Sequence, residues 1–167
     1  MITQDIYELA VQVGANLSER KLKLVTIESC TGGLLAGAIT DVAGSSAYFE
    51  RGFVTYSNEA KMELVAVDPA ILQQYGAVSA EVATAMVVGG LQNSRAQVGM
   101  AITGIAGPEG GTLLKPVGTV YFAWKVLDGP VVVAHKVFFG TREEVRWQAV
   151  EFALHSLILT TPFLSFS

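Results

Sequence analysis

The sequence predicts an α/β fold, a three-layer α/β/α sandwich with a mixed β-sheet, formed as a single domain over residues 1–167. Three observations predict it. Strand-like and helix-like patterns alternate over the first hundred residues or so, as parallel strands with helical crossovers require. A hairpin signal, Asp128-Gly129, then separates two late apolar runs and brings an antiparallel element. Finally, a chain of 167 residues that is 51% hydrophobic and 16% charged can bury one sizeable core.

The elements follow in order. Ile6, Leu9, Ala10, Val13 and Leu17 recur at helical spacing, which predicts a helix over 5–20. Leu24-Val25-Thr26-Ile27 reads as a buried strand, and an apolar helix runs from about Gly33 to Val42. A turn at 43–46 precedes a strand over 52–56, and Ser57 is placed to cap a helix carrying Ala60, Lys61, Leu64 and Val65. Asp68-Pro69 opens a short helix and Ser79 caps another over 80–92. Val98 to Ile102 is a strand running into a glycine-rich loop over 103–118. The hairpin strands cover 119–126 and 131–139. Thr141-Arg142-Glu143-Glu144 is a capping box opening a helix to about Leu159, and 160–167 reads as a tail.

Composition excludes several classes. The net charge is −4 and the basic residues are scattered between Arg20 and Arg146, so nucleic acid is not an expected partner. One cysteine allows no intramolecular disulfide and suits a reducing compartment. The first residues lack the basic segment of a signal peptide, and no run reaches the roughly 20 apolar residues of a membrane helix. The expectation is a cytoplasmic protein without membrane attachment. Its excess of Ala, Val and Leu further suggests a homo-oligomer.

Three polar, glycine-bearing segments fall where strands end, the edge at which open α/β folds bind ligands. In Glu28-Ser29-Cys30-Thr31-Gly32-Gly33, a nucleophilic side chain stands on a strand-to-helix turn whose N–H groups suit an oxyanion or phosphate. A plain capping turn accounts for that segment equally well. In Tyr56-Ser57-Asn58-Glu59-Ala60-Lys61, a desolvated Lys61 is a base for a serine, with Tyr56 to relay a proton, although a lysine read alone is a solvated surface residue. The loop Thr103-Gly104-Ile105-Ala106-Gly107-Pro108-Glu109-Gly110-Gly111 suggests backbone close to a ligand, or merely a flexible connection. Arg142 suits a phosphate or carboxylate, and by default lies on the surface. Rival chemistries lack parts: His135 and His155 fall inside a strand and a helix, and zinc-type Cys/His clusters are absent. A carboxylate metal site using Glu28, Asp41 or Asp68 has no spacing to recommend it.

Together these segments resemble the CinA C-terminal domain family. The matching stretches are Glu28–Gly33, Gly44–Ser46, Tyr56–Asn58 with Lys61, Gly76–Ser79, Thr103–Pro108, Lys115–Thr119, and Arg142 with Val145-Arg146, in family order. The resemblance implies hydrolysis of the carboxamide of nicotinamide mononucleotide to nicotinate mononucleotide and ammonia, with no metal or organic cofactor. It matches Ser29 to the nucleophile, Lys61 to its base and Tyr56 to a supporting tyrosine. Cys30, Thr31, Gly32 and Gly33 of the turn, Thr103, Gly104 and Gly107 of the loop, and Arg142 are matched to the substrate's surroundings. Glu109 and Thr141 depart from the family pattern, with a small residue commoner at the first and aspartate frequent at the second. Two other readings stand beside this one: a nucleotide-binding module without catalysis, and an amidase for another small amide.

Overall fold

The computed structural model describes residues 2–160. Helix α1 (Gln4–Arg20) leads into β1 (Leu24–Glu28), and α2 (Leu34–Thr40) is followed by a 3-10 turn at Ser45–Ala47 and β2 (Phe49–Val54). Three helices come next, α3 (Asn58–Val65), α4 (Pro69–Tyr75) and α5 (Ala80–Gln92). The chain then forms β3 (Val98–Gly104), β4 (Thr119–Val126), β5 (Val132–Val137) and α6 (Arg142–Thr160). No helix among the described residues is long and apolar enough to cross a membrane.

The caps read from sequence are in place. Ser57, Asp68 and Ser79 accept the N–H groups of Ala60, Ala70 and Val82. At the start of α6 the box is reciprocal: Thr141 N–H donates to Glu144 Oε2 at 2.6 Å and Glu144 N–H to Thr141 Oγ1 at 3.2 Å. Some boundaries differ from expectation. β2 begins at Phe49 and stops at Val54, earlier than the strand expected over 52–56. It is an edge strand with one neighbour, so Glu50 and Arg51 belong to it although they break the apolar pattern. α2 is shorter than expected because Gly33, at φ 101, stands outside helical geometry as its N-cap. Thr160, expected in the tail, ends α6, and the rest of that tail lies outside the described residues.

The sheet order is β2-β1-β3-β4-β5, with β1 parallel to both β2 and β3 and the last two pairings antiparallel. The mixed sheet expected from the pattern is therefore observed. Pleating sends alternate side chains to two cores. Leu24, Met100, Ile102, Phe122 and Trp124 pack under α1, α2 and α6, with Val13, Leu17, Ile39 and Leu154. Val25, Ile27, Ala101 and Ala123 face the layer of α3, α4 and α5, with Val65, Leu72, Val82 and Met86. Each large side chain so buried contributes about 1.5–3 kcal/mol.

On the second face small residues set the spacing. A Cβ on Gly89 of α5 would fall on the carbonyl of Val65 at the end of α3. Gly37 of α2, by contrast, has open space around its Cα. Gly89→Ala is therefore expected to lower stability by about 1–3 kcal/mol through overpacking. Gly37→Ala is expected to gain roughly 0.5–1 kcal/mol from helix propensity. Urea unfolding midpoints of the two variants check the contrast.

Candidate active site

Strands β2, β1 and β3 run parallel and side by side, so their C-terminal ends open on one edge of the sheet. Register decides which residues meet there. Glu28 pairs with Val54 on one side and with Ile102 on the other. The residues just beyond, Ser29, Thr55 and Thr103, consequently lie abreast. Ser29 N–H donates to Ile102 O at 2.9 Å, and Thr55 N–H to Glu28 O at 2.8 Å.

The chain after Ser29 must reverse into α2 within a few residues. Gly32 and Gly33 allow it with φ values of 57 and 101, and Gly32 N–H closes the turn on Ser29 O at 3.0 Å. Gly33 has no side chain with which to cap α2. Glu28 does so from the strand end instead. Its Oε1 accepts Thr31 Oγ1–H at 2.7 Å and Leu35 N–H at 2.9 Å, and its Oε2 accepts Ala36 N–H at 3.0 Å. Arg146 holds the other side of the turn, donating from Nε to Cys30 O at 3.0 Å and from Nη2 to Thr31 O at 3.2 Å. The turn that carries Ser29 is thus tied to its own strand, to α2 and to α6.

Lys61 stands in the first turn of α3. A helical side chain leans toward the N-terminus of its helix, here toward the sheet edge. It is only 1% exposed, against the solvated lysine that composition alone suggests. Its Nζ lies 3.0 Å from Ser29 Oγ, 2.8 Å from Thr55 O and 3.5 Å from Tyr56 O. Among the described residues it forms no ion pair with a carboxylate. Desolvation by burial therefore holds the Lys61 ammonium below its ordinary pKa of 10.5. Burial also pushes the neighbouring Cys30 thiol up to about 12, which removes the thiolate that nucleophilic attack by sulfur would need.

A cleft of about 290 Å³ opens over this pair. Ser29, Cys30, Tyr56, Lys61, Thr103, Gly104, Gly107 and Arg142, all singled out from sequence, line it. Thr31, Gly32 and Gly33 do not; they build the turn behind Ser29. The Tyr56 hydroxyl accepts Arg142 Nη2–H at 2.7 Å, while Arg142 Nη1 donates to Gly107 O at 2.7 Å. Arg142 thereby ties the end of β2 to the loop after β3. Two glycines of that loop also serve packing: a Cβ on Gly104 would press on Thr119 O, and one on Gly107 on Val117.

The sequence reading gives no site role to Thr55, and it places Glu28 and Arg146 in matched stretches without assigning the roles seen here. Arg146 carried a legible signal, one helical turn beyond Arg142 on the same face. Thr55 carried none, because its role rests on contacts between separate strands, and that of Glu28 rests on the fold of the turn into α2. Glu28 and Asp68, left open as metal ligands, have their carboxylates engaged on helix N-termini. Among the described residues no three His, Cys, Asp or Glu side chains gather as a ligand set.

Known proteins bear directly on this arrangement. A nicotinamide-nucleotide amidohydrolase, PncC, of Enterobacter agglomerans is 50% identical over 158 residues, covering 95% of this chain and 96% of its own. A putative competence-damage inducible protein of Symbiobacterium thermophilum is 60% identical over 160 residues, 91% of this chain but 37% of that longer relative. The crystal structure of the competence/damage inducible protein CihA from Agrobacterium tumefaciens superposes with a TM-score of 0.93 at 44% identity, covering 95% of this chain and 97% of that one. With the model of the CinA C-terminal domain matching residues 6–161 as well, the chain belongs to the CinA C-terminal domain family.

Proposed function

We propose that the protein is a nicotinamide-nucleotide amidohydrolase, converting nicotinamide mononucleotide and water to nicotinate mononucleotide and ammonia, with Ser29 as nucleophile and Lys61 as base. The observation that carries the mechanism is the Lys61 amine, buried without a carboxylate and 3.0 Å from Ser29 Oγ. The substrate comes from the PncC relative, which matches nearly end to end.

A neutral lysine amine has two N–H bonds and one lone pair. The carbonyls of Thr55 and Tyr56 accept the two hydrogens, which leaves the lone pair for the Ser29 hydroxyl. Lys61 takes the Ser29 proton as Oγ bonds to the carboxamide carbon, and the carbonyl oxygen becomes a tetrahedral oxyanion. The resulting ammonium gives its proton to the departing nitrogen, which leaves as ammonia with cleavage of the C–N bond. A water, deprotonated by Lys61, then attacks the ester on Ser29. Collapse of that second intermediate returns the proton to Ser29 Oγ and releases the carboxylate product. Around the reacting carbon, Cys30, Thr103 and Gly104 form the walls, and Arg142 with Tyr56 closes one rim against the phosphate-bearing part of the substrate. Thr31, Gly32 and Gly33 act by shaping the turn.

Ammonia release from nicotinamide mononucleotide, with nicotinate mononucleotide identified as product, tests the reading. Ser29→Ala and Lys61→Ala are each expected to lower kcat by about 10³-fold or more. Ligand-induced thermal stabilisation without ammonia would point to a binding module, and turnover restricted to other amides would replace the substrate.

The base makes a pH prediction. Catalysis uses neutral Lys61, so kcat should rise with pH and level off above the lysine's lowered pKa. The acid limb should therefore have its midpoint below 10.5. The linked stability has the opposite character to an ion pair. The unfolded chain holds the Lys61 proton up to about pH 10.4, whereas the folded chain loses it earlier. Burial of Lys61 therefore weighs most against folding below the lowered value, and the penalty fades as pH rises toward 10.5. Chemical denaturation across that window, compared with Lys61→Met, should show the gap between the two proteins widening as pH falls.

A further inference from the structure

We infer that Glu28 and Thr55 are positioning residues that together set the distance between Ser29 and Lys61. The inference rests on the Ser29/Lys61 reading and deepens it. Ser29 and Lys61 come from different elements, 32 residues apart in sequence, and helix α3 is joined to the sheet through the short segment after β2. Something must hold the two against each other to within a hydrogen bond. A continuous chain of bonds does so. Lys61 Nζ donates to Thr55 O at 2.8 Å. Thr55 in turn donates twice to the carbonyl of Glu28, from its N–H at 2.8 Å and from Oγ1 at 3.2 Å. Glu28 is the residue before Ser29, and its carboxylate receives Thr31 Oγ1–H, Leu35 N–H and Ala36 N–H.

Thr55 and Glu28, at the middle of this chain, are sealed from water. Thr55 is fully buried and Glu28 is 1% exposed. Neither lines the cleft, so neither is placed to touch substrate. Buried polar groups are retained when fully bonded, and here each bond ends on the nucleophile turn or on the base. Glu28 acts in two directions: its side chain fixes the turn that carries Ser29, and its backbone carbonyl fixes the residue that cradles Lys61. A neutral amide at position 28 would set an NH2 group against one of three converging donors and loosen the turn. Loss of the Thr55 hydroxyl would remove one of the two bonds to the Glu28 carbonyl and leave the turn's own bonds intact. Displacements of this kind, well short of unfolding, affect turnover more than binding.

The experiment measures kcat and KM for nicotinamide mononucleotide in Glu28→Gln, Thr55→Val and Thr55→Ser, with Ser29→Ala alongside and each folded fraction taken from thermal melts. A fall in kcat of about tenfold for Glu28→Gln and about threefold for Thr55→Val, with KM little changed, is expected for misplaced catalytic groups. Thr55→Ser, which keeps the hydroxyl, should return to the wild-type rate. The inference is overturned if Glu28→Gln and Thr55→Val turn over like wild type per folded molecule, whatever their melting temperatures. Should Glu28→Gln not fold, Thr55→Val against Thr55→Ser decides alone. Activity retained in Ser29→Ala would instead overturn the underlying Ser29/Lys61 reading, so the two failures are distinguishable.

Discussion

Lys61 is a long cationic side chain enclosed by protein with no carboxylate among the described residues to balance it, and much of the surrounding architecture follows from that placement. A buried ammonium is strongly disfavoured, so the group is held toward its neutral form, and a neutral amine needs two acceptors and one donor. The end of β2 supplies acceptors as backbone carbonyls of Thr55 and Tyr56, and the Ser29 Oγ at the end of β1 lies within hydrogen-bond distance, placed to donate to the neutral amine in the proposed mechanism. Backbone carbonyls suit this task better than an aspartate would. A carboxylate would raise the lysine's pKa and hold the proton on it, whereas neutral dipoles orient the amine and leave its lone pair available.

The sheet explains how these groups come together. Only its parallel part, β2-β1-β3, delivers three successive chain ends to one edge, and the site sits there. The antiparallel hairpin of β4 and β5 extends the sheet and helps bury the core under α6. It also brings the chain back so that α6 begins beside the site. From that helix, Arg142 reaches the rim and Arg146 the nucleophile turn, one helical turn apart. One element thus braces both walls of the cleft, which a site built from loops alone would lack.

Much of this was legible in the sequence, for identifiable reasons. Helix caps are local, so Ser57, Ser79 and the Thr141–Glu144 box could be read directly, and with Ser57 came the position of Lys61 in the first turn of α3. The alternation of strands and helices gave the mixed sheet. The bounds of β2 were not legible, because an edge strand need not alternate and Glu50-Arg51 looks like a loop. The burial of Lys61 was not legible either, since residue type argues for exposure and only the register of β1 between β2 and β3 overrides it. Glu28 ends a strand as expected, but its carboxylate also accepts the first N–H groups of a helix starting six residues later. Gly104 and Gly107 line the cleft and also make room for β4 and Val117, a packing role that the glycine-rich pattern alone does not reveal.

In the proposed mechanism, environment rather than intrinsic reactivity selects the nucleophile between the adjacent Ser29 and Cys30. Sulfur is the better nucleophile in water, but only as thiolate. Cys30 is buried in a turn whose nearest charge includes the Glu28 carboxylate, and both burial and that charge raise its pKa, to about 12 in all. The thiol consequently stays protonated near neutral pH. Ser29 needs no prior ionisation, because its proton can pass to Lys61 during attack. The Glu28 carboxylate, which stabilises α2 and shapes the turn, adds to the rise in the Cys30 pKa, and in the proposed mechanism the Ser29 hydroxyl, 3.0 Å from Lys61 Nζ, does the chemistry.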